Sequence, residues 1–493
     1  MSKQSADWII LVYISADRAL TNFAIESLKQ LKRSTGVSIV ALAQMEATGN
    51  TEAQRYVFDG SDDANASIEN NLQPSISPAP SPGGIANPRN LTEFLKWASQ
   101  YEAKHRCLFL WGHGYELLLN EDLTILPTVS ENHGLPGNGL KETWNGDMTD
   151  GGTNAGAATR KYLAPKNLKK ALEDAKPSIG RLDIIGVDAC SMSLVELAGE
   201  LSDCADFLIA SQEDVPDASF PYDQILLKLQ HYDRNDVAGI STAIPQLYAQ
   251  AYQDYVIAPG TGMKEITLTS LRLEKISTVM APLSRLAKAL LSSSSDPVIR
   301  KTILAARKAA RDFALGLFVD LRDFCLQVSM NLDECELRSA CEAVRHAVDA
   351  RGQTGCIIAD QNGDGTASRC HGLSIYFPYL KKAELDQLRE SVLSAGSTVD
   401  QVPLLVKGGT NHILKGRSVQ VAQIEDDFES LTEFKKTEWC TFIKHGWSVI
   451  LASEESTELD EHYCGQQCAI NLLSLLRTSE QPSQRTAAMA AKY

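Results

Sequence analysis

Five short, uninterrupted apolar runs govern what this chain can become: WIILVYIS (8–15), VSIVALAQM (37–45), CLFLW (107–111), LDIIGV (182–187) and DFLIAS (206–211). Runs of this length, apolar throughout, read as strands buried on both faces of a sheet. Amphipathic stretches stand between them: one begins near Asp17 and ends near Lys32, and others cover about residues 90–101 and 165–175. Strand, helix, strand over 8–45 is the opening of a parallel α/β sheet, and a large α/β protein is the class this order predicts.

The rest of the chain is read around that framework. Residues 55–59 add a short strand, and PSISPAPSPGG (74–84) forms a surface loop because its prolines and glycines suit no regular element. Residues 115–161 show little periodicity and carry glycines at 134, 137, 139, 146, 151, 152 and 156, the pattern of a long loop with a function of its own. A helix continues from Met192 to Leu201. Beyond residue 211, helices are expected at about 224–230, 240–255, 273–291, 299–313 and 336–349, with GCIIAD and GLSIYF as strands. The chain thus divides into a core over 1–260, a helical and stranded part over 261–398 that completes the fold, and a C-terminal extension over 399–493 to which no role is assigned.

Composition narrows the function. With 493 residues, 44% hydrophobic and 22% charged, the balance is that of a globular protein large enough for several packed units. A net charge of -15 argues against a nucleic-acid partner and favours basic peptides. No apolar stretch approaches the roughly 20 residues needed to cross a bilayer. The run at 8–14 makes a poor export signal, with Asp7 before it and Ile14 where a small residue is wanted, so no membrane partner and a cytoplasmic location are expected. Eleven cysteines in no scaffold spacing suit reduced thiols, and Cys464 and Cys468 read as two thiols on a helix face, not half of a zinc site.

Two chemically capable residues fall at strand ends, where open parallel sheets gather their ligands. CLFLW runs into Gly112, His113 and Gly114, an imidazole between residues that allow close approach of a substrate backbone. LDIIGV runs into Asp188, Ala189 and Cys190, a thiol expected in the first turn of the following helix, where the dipole would favour thiolate. The backbone N–H groups of Cys190 and Gly114 are the candidate oxyanion donors. His-Gly recurs at His133, His371 and His445, but only His113 follows a long apolar strand, and only Cys190 sits on a strand-to-helix turn. Each residue taken singly could be an ordinary core side chain. Together they point to nucleophilic catalysis.

WIILVYISADRALTNFAIESL, LFLWGHG, IIGVDACSMSLVELA, FVDLRDF and HGLSIYFP, in that order over about 8–378, resemble the clostripain family of cysteine peptidases. The resemblance implies a caspase-like αβα sandwich with a mostly parallel central sheet, a Cys-His dyad at Cys190 and His113, and cleavage of protein or peptide substrates after Arg or Lys. Such a side chain needs a carboxylate at the base of its pocket. Asp188 matches the family's aspartate beside the nucleophile. A second is expected within SQEDVPDASFPY, with Asp217 chosen by position, Asp214 and Glu213 as competitors, and a plain turn residue as the other reading of Asp217. The resemblance also implies a zymogen nicked in the 115–161 loop, at Lys141, Arg160 or Lys161, by an activating protease or under a regulator, with plain loop flexibility as the other reading; many relatives are secreted, and it is the poor export signal of this chain that points to a regulated protease inside the cell. Calcium dependence occurs in that family, but the sequence requires no cofactor: DQNGDG (360–365) has His371 where a calcium loop needs Glu and reads as a turn. Two alternatives stay open, a related acyl transferase or transpeptidase and a non-catalytic interaction protein on the same fold.

Overall fold

The computed structural model describes residues 6–16, 20–36, 38–47, 53–60, 87–112, 163–231, 235–257, 266–313, 316–362, 369–379, 431–447 and 449–450, with the backbone of two short strands at 123–124 and 159–160. All five apolar runs are strands: β1 (Ala6–Ala16), β2 (Ile39–Ala47), β4 (Ala103–Trp111), β7 (Leu182–Asp188) and β8 (Ala205–Ala210). They form one parallel block in the order β8, β7, β4, β1, β2. Antiparallel strands flank it on both sides: β3 (Gln54–Phe58) beside β2, and β9 (Thr267–Arg272) then β12 (Ile357–Asn362) beside β8. Leu123–Thr124 (β5) and Thr159–Arg160 (β6) pair separately as a small antiparallel ladder.

Side-chain parity in β1 divides the molecule into layers. Ile9, Leu11 and Tyr13 point into one hydrophobic core with helices α2 (Pro88–Ala98), α3 (Pro165–Ile179), α4 (Val195–Glu200) and α7 (Ser277–Ser293). Trp8, Ile10, Val12 and Ile14 point into a second core with α1 (Thr21–Ser34), α5 (Tyr222–His231) and α6 (Val237–Ile257). This is the three-layer α/β/α arrangement expected of the chain, because a sheet apolar on both faces must be covered twice. Gly186 lets the sheet and its neighbours close up: a Cβ there would stand 2.3 Å from the Phe109 ring. Local signals set the helix ends, as where Asn87 accepts from the Arg89 amide at 3.0 Å ahead of Pro88, and where Gly180 at φ 79 stops α3.

Strand β9 escapes the apolar-run reading because Thr267, Thr269 and Ser270 are polar, although all three are buried. Hydroxyl pairing makes the burial of two of them tolerable: Thr267 Oγ1 meets Ser211 Oγ at 2.9 Å, and Ser270 Oγ meets Ser241 Oγ at 2.6 Å. A second sheet joins β10 (Asp312–Phe313), β11 (Phe318–Asp320) and β13 (Ser374–Tyr376), all antiparallel. Residues 299–313, expected as one helix, are instead α8 (Pro297–Ala309) followed by β10, while α10 (Glu336–Asp349) has the bounds expected for it. Strands β9 and β12, both after residue 260, continue the large sheet beyond β8.

Residues 431–450, part of the extension to which the sequence assigns no role, are packed into the first core. Trp439 and Trp447 donate their indole N–H groups to the carbonyls of Tyr376 (2.7 Å) and Pro378 (2.9 Å). Their rings stand edge-on to Phe377, at 5.4 and 4.6 Å between centroids. Among the described residues no helix is long and apolar enough to cross a membrane.

Candidate active site

Strands β4 and β7 lie side by side, and their last paired residues are Trp111 and Asp188. The Gly112 N–H extends the ladder by donating to the Asp188 carbonyl at 3.3 Å. The chain therefore leaves both strands at one place on the carboxyl edge of the sheet, next to the end of β1. A Cβ on Gly112 would come within 3.3 Å of Ser15. His113 and Gly114 follow directly and lie outside the described residues, as do Lys141 and Lys161. Arg160 is described as the last residue of β6, paired with Leu123.

Cys190 stands two residues beyond β7, in a turn and not in the first turn of a helix: α4 starts only at Val195 and has six residues. A helix dipole fades within a turn, so α4 is not what would activate this thiol. The turn has its own supports. Ser191 takes the left-handed backbone conformation (φ 56), uncommon for a residue with a Cβ. Its N–H donates to the Glu213 carbonyl at 3.0 Å, and the Ser193 N–H donates to the Ser211 carbonyl at 2.8 Å. The Val215 N–H then donates to Cys190 Sγ at 3.3 Å. Cys190 is only 1% exposed.

Asp214 lies against the same sulfur. Some of its surface remains open, yet the surrounding protein crowds it enough that burial pushes its carboxyl up to about 6, while the hydrogen bond from the Cys190 thiol acts in the opposite sense. Glu213, beside it, is ion-paired with Arg311. Of the acidic residues weighed for the second place in a substrate pocket, Asp214 lies against the thiol and Glu213 is turned to another partner.

Asp188 is fully buried, and its Oδ2 accepts from Ser219 Oγ (2.5 Å), the Phe220 N–H (3.1 Å) and Tyr222 Oη (2.9 Å). One carboxyl oxygen at the tip of β7 thus ties down the whole 219–222 segment. Burial and the neighbouring Asp188 both push the Tyr222 hydroxyl well up, which keeps it a hydrogen-bond donor. Asp217 is half-buried in the turn between Pro216, whose carbonyl accepts from the Ser219 N–H at 2.8 Å, and the residues that hold Asp188.

Residues from much later in the chain also reach this site. Ser193 Oγ donates to the Gly372 carbonyl at 2.6 Å, and the Ser193 carbonyl accepts from the Ser374 N–H at 2.8 Å. Periodicity does not point to these contacts. The strings FVDLRDF and HGLSIYFP are the only sequence signal for them, since they contain Asp320, His371, Gly372 and Ser374. The DQNGDG segment begins in β12, and its residues 363–365 lie outside the described part.

A buried thiol in a turn at the carboxyl edge of a parallel sheet, beside a second strand end, is the layout of a cysteine-nucleophile enzyme. The model of the clostripain family matches residues 156–447, more than half of the chain, and the protein belongs to that family of cysteine peptidases. Solved structures similar to it include an inactive zymogen C11 protease from Parabacteroides distasonis, at 17% identity and TM-score 0.48, with 80% of this chain and 95% of that one covered. Another is a secreted C11 cysteine protease from Bacteroides thetaiotaomicron in complex with an irreversible peptide inhibitor, at 17% identity and TM-score 0.48, with 79% and 99% covered. No match was found among the curated proteins.

Proposed function

We propose that this protein is an endopeptidase that cleaves after Arg or Lys, with Cys190 as nucleophile and His113 as its proton-transfer partner. The observation that supports the reading best is the pairing of Trp111 with Asp188, which brings the segments carrying His113 and Cys190 out of adjacent strands. In the proposed reaction the Cys190 sulfur attacks the carbonyl carbon of the basic residue, and the N–H groups of Gly114 and Cys190 receive the oxyanion. His113 protonates the departing amine. It then takes a proton from water, which hydrolyses the thioester and restores the thiol. Asp188 and Asp217 are proposed to face the basic side chain, with Asp214 as the competitor nearest the sulfur.

The near-complete burial of Cys190 and its bond to Asp214 favour a form that must rearrange before it acts. We therefore propose a regulated intracellular, cytoplasmic enzyme, activated by cleavage in the 115–161 loop or by a partner. Arg160 is paired with Leu123 in β6, so cleavage after it would require that short ladder to open. Incubating wild type and Cys190→Ala with a peptide library, before and after limited trypsin treatment, tests these points together. Cleavage after Arg and Lys by wild type alone is expected; cleavage that persists in Cys190→Ala would remove the nucleophile assignment.

A further inference from the structure

The segment 211–215 is built with a strand-like alternation. Ser211 and Glu213 give their carbonyls to the N–H groups of Ser193 and Ser191, and Val215 gives its N–H to the sulfur, so these three residues hold the Cys190 turn. Gln212 sits between them with its side chain turned into the second sheet, where it is fully buried. Its Oε1 accepts from the Gly372 N–H at 2.7 Å, and its Nε2 donates to Asp320 Oδ2 at 3.0 Å and to Ser374 Oγ at 2.9 Å. The amide thus uses both donors and an acceptor. Its own backbone N–H donates to Thr267 Oγ1 at 3.0 Å.

The partners of Gln212 are themselves fixed. Asp320 Oδ2 also accepts from the His371 N–H at 2.7 Å, and its Oδ1 meets His371 Nδ1 at 3.0 Å and the Asp323 N–H at 2.7 Å. Arg322 Nη1 lies 3.2 Å from His371 Nε2. A guanidinium only donates, so Nε2 accepts and the imidazole proton is on Nδ1, directed at Asp320. The 371–374 turn then grips both arms of the site at once, Ser193 on one side and Gln212 on the other.

We propose that Gln212 is a positioning residue for the nucleophile: its buried amide, locked to Asp320, Ser374 and the Gly372 N–H, sets the 211–215 segment against the 190–193 turn and so fixes where the Cys190 sulfur sits. The inference rests on Cys190 being the reactive thiol. It assigns a function to FVDLRDF and HGLSIYFP, whose Asp320 and Gly372 lie 130 and 182 residues beyond that cysteine in the sequence.

The test uses the full chain with Gln212→Leu, which removes all three side-chain bonds, and Ser193→Ala, which removes one bond of the opposite arm. Three quantities are read: the pH profile of Cys190 alkylation by iodoacetamide, followed by peptide mass mapping; kcat and KM on an Arg peptide; and circular dichroism for the fold. In folded Gln212→Leu the alkylation midpoint is expected to shift and kcat to fall at least about tenfold with KM within about twofold, since small misplacements of a nucleophile are costly. Ser193→Ala should move both in the same direction by less. A wild-type alkylation profile and kcat in both folded variants would overturn the proposal, and if Gln212→Leu does not fold, Ser193→Ala decides alone. If wild type cleaves no peptide even after limited trypsin treatment, yet its Cys190 profile shifts in the variants, the peptidase reading falls and the positioning role stands.

Discussion

Asp214 lies against Cys190, close enough for its carboxyl to act on the thiol, and the Val215 N–H donates to the same sulfur at 3.3 Å. A carboxyl that receives the S–H proton stabilises the thiol against ionisation, and its own negative charge opposes a thiolate beside it. The residue beside Cys190 thus holds its thiol in the less reactive form.

Asp214→Asn removes that charge. Cys190 should then alkylate faster at pH 7, by up to about tenfold for each unit its ionisation moves down. Iodoacetamide labelling with mass mapping measures it, and an unchanged rate would show that Asp214 does not restrain the thiol. Stability should respond too. The folded carboxyl titrates near 6 against 3.8 for a free one, so the folded form binds the proton more tightly; the stability present below about pH 4 is lost as pH rises to about 6. Asp214→Asn should flatten unfolding midpoints over that window.

Glu196 offers a second titration, well away from the thiol. It is fully buried in α4, its Oε1 accepts from the Tyr376 N–H at 2.7 Å, and its Oε2 has no hydrogen-bond partner among the described residues. Burial pushes its carboxyl up to about 8, against 4.5 for a free one, with the Tyr376 bond opposing. The sign is the same: stability complete below about pH 4.5 declines as pH rises through about 8, at roughly 1.4 kcal/mol per unit in between. Glu196→Gln keeps an acceptor for Tyr376 and loses the ionisation. Denaturant unfolding at pH 6 and pH 9 should show the variant gaining on wild type at the higher pH, and parallel curves would contradict the assignment.

Asp188 combines a structural load with its proposed place in the substrate pocket. Asp188→Ala strands three donors from the 219–222 segment and should cost at least about 3 kcal/mol in urea unfolding, at roughly 1 kcal/mol or more for each. Asp188→Asn retains an acceptor oxygen and should be milder, while Arg and Lys peptides lose more turnover than peptides with neutral side chains. Equal loss for all peptides would confine Asp188 to scaffolding.

The packing of 431–450 makes a prediction about length. A chain ended at residue 398 lacks the two indoles on Phe377 and should expose that ring, binding a hydrophobic dye and melting at lower temperature. Trp439→Ala in the full chain should cost about 3–5 kcal/mol, the usual range for a large buried aromatic. A truncated chain as stable as the whole would show that this segment is an accessory.

The parallel block was legible because burial on both faces demands largely apolar runs, as in WIILVYIS and CLFLW. The same logic hid β9, where Thr267 and Ser270 look exposed until the hydroxyls paired with them are known. It also extended the helix after Cys190 too far back, because Met192 and Leu194 are as apolar as the helix they precede; the turn is held open by Ser211 and Glu213, twenty residues on. Long-range hydrogen bonds of this kind leave no periodic trace. The tryptophans at 439 and 447 were unreadable for a related reason, since their partner Phe377 lies 62 and 70 residues earlier.

The alternating side chains of β1 have a bearing on how the molecule comes apart. Trp8, Ile10 and Val12 serve one hydrophobic layer, and Ile9, Leu11 and Tyr13 the other, within a single run of backbone. Neither layer can melt without withdrawing the strand that anchors its opposite, so the two halves of the interior are bound to unfold in concert.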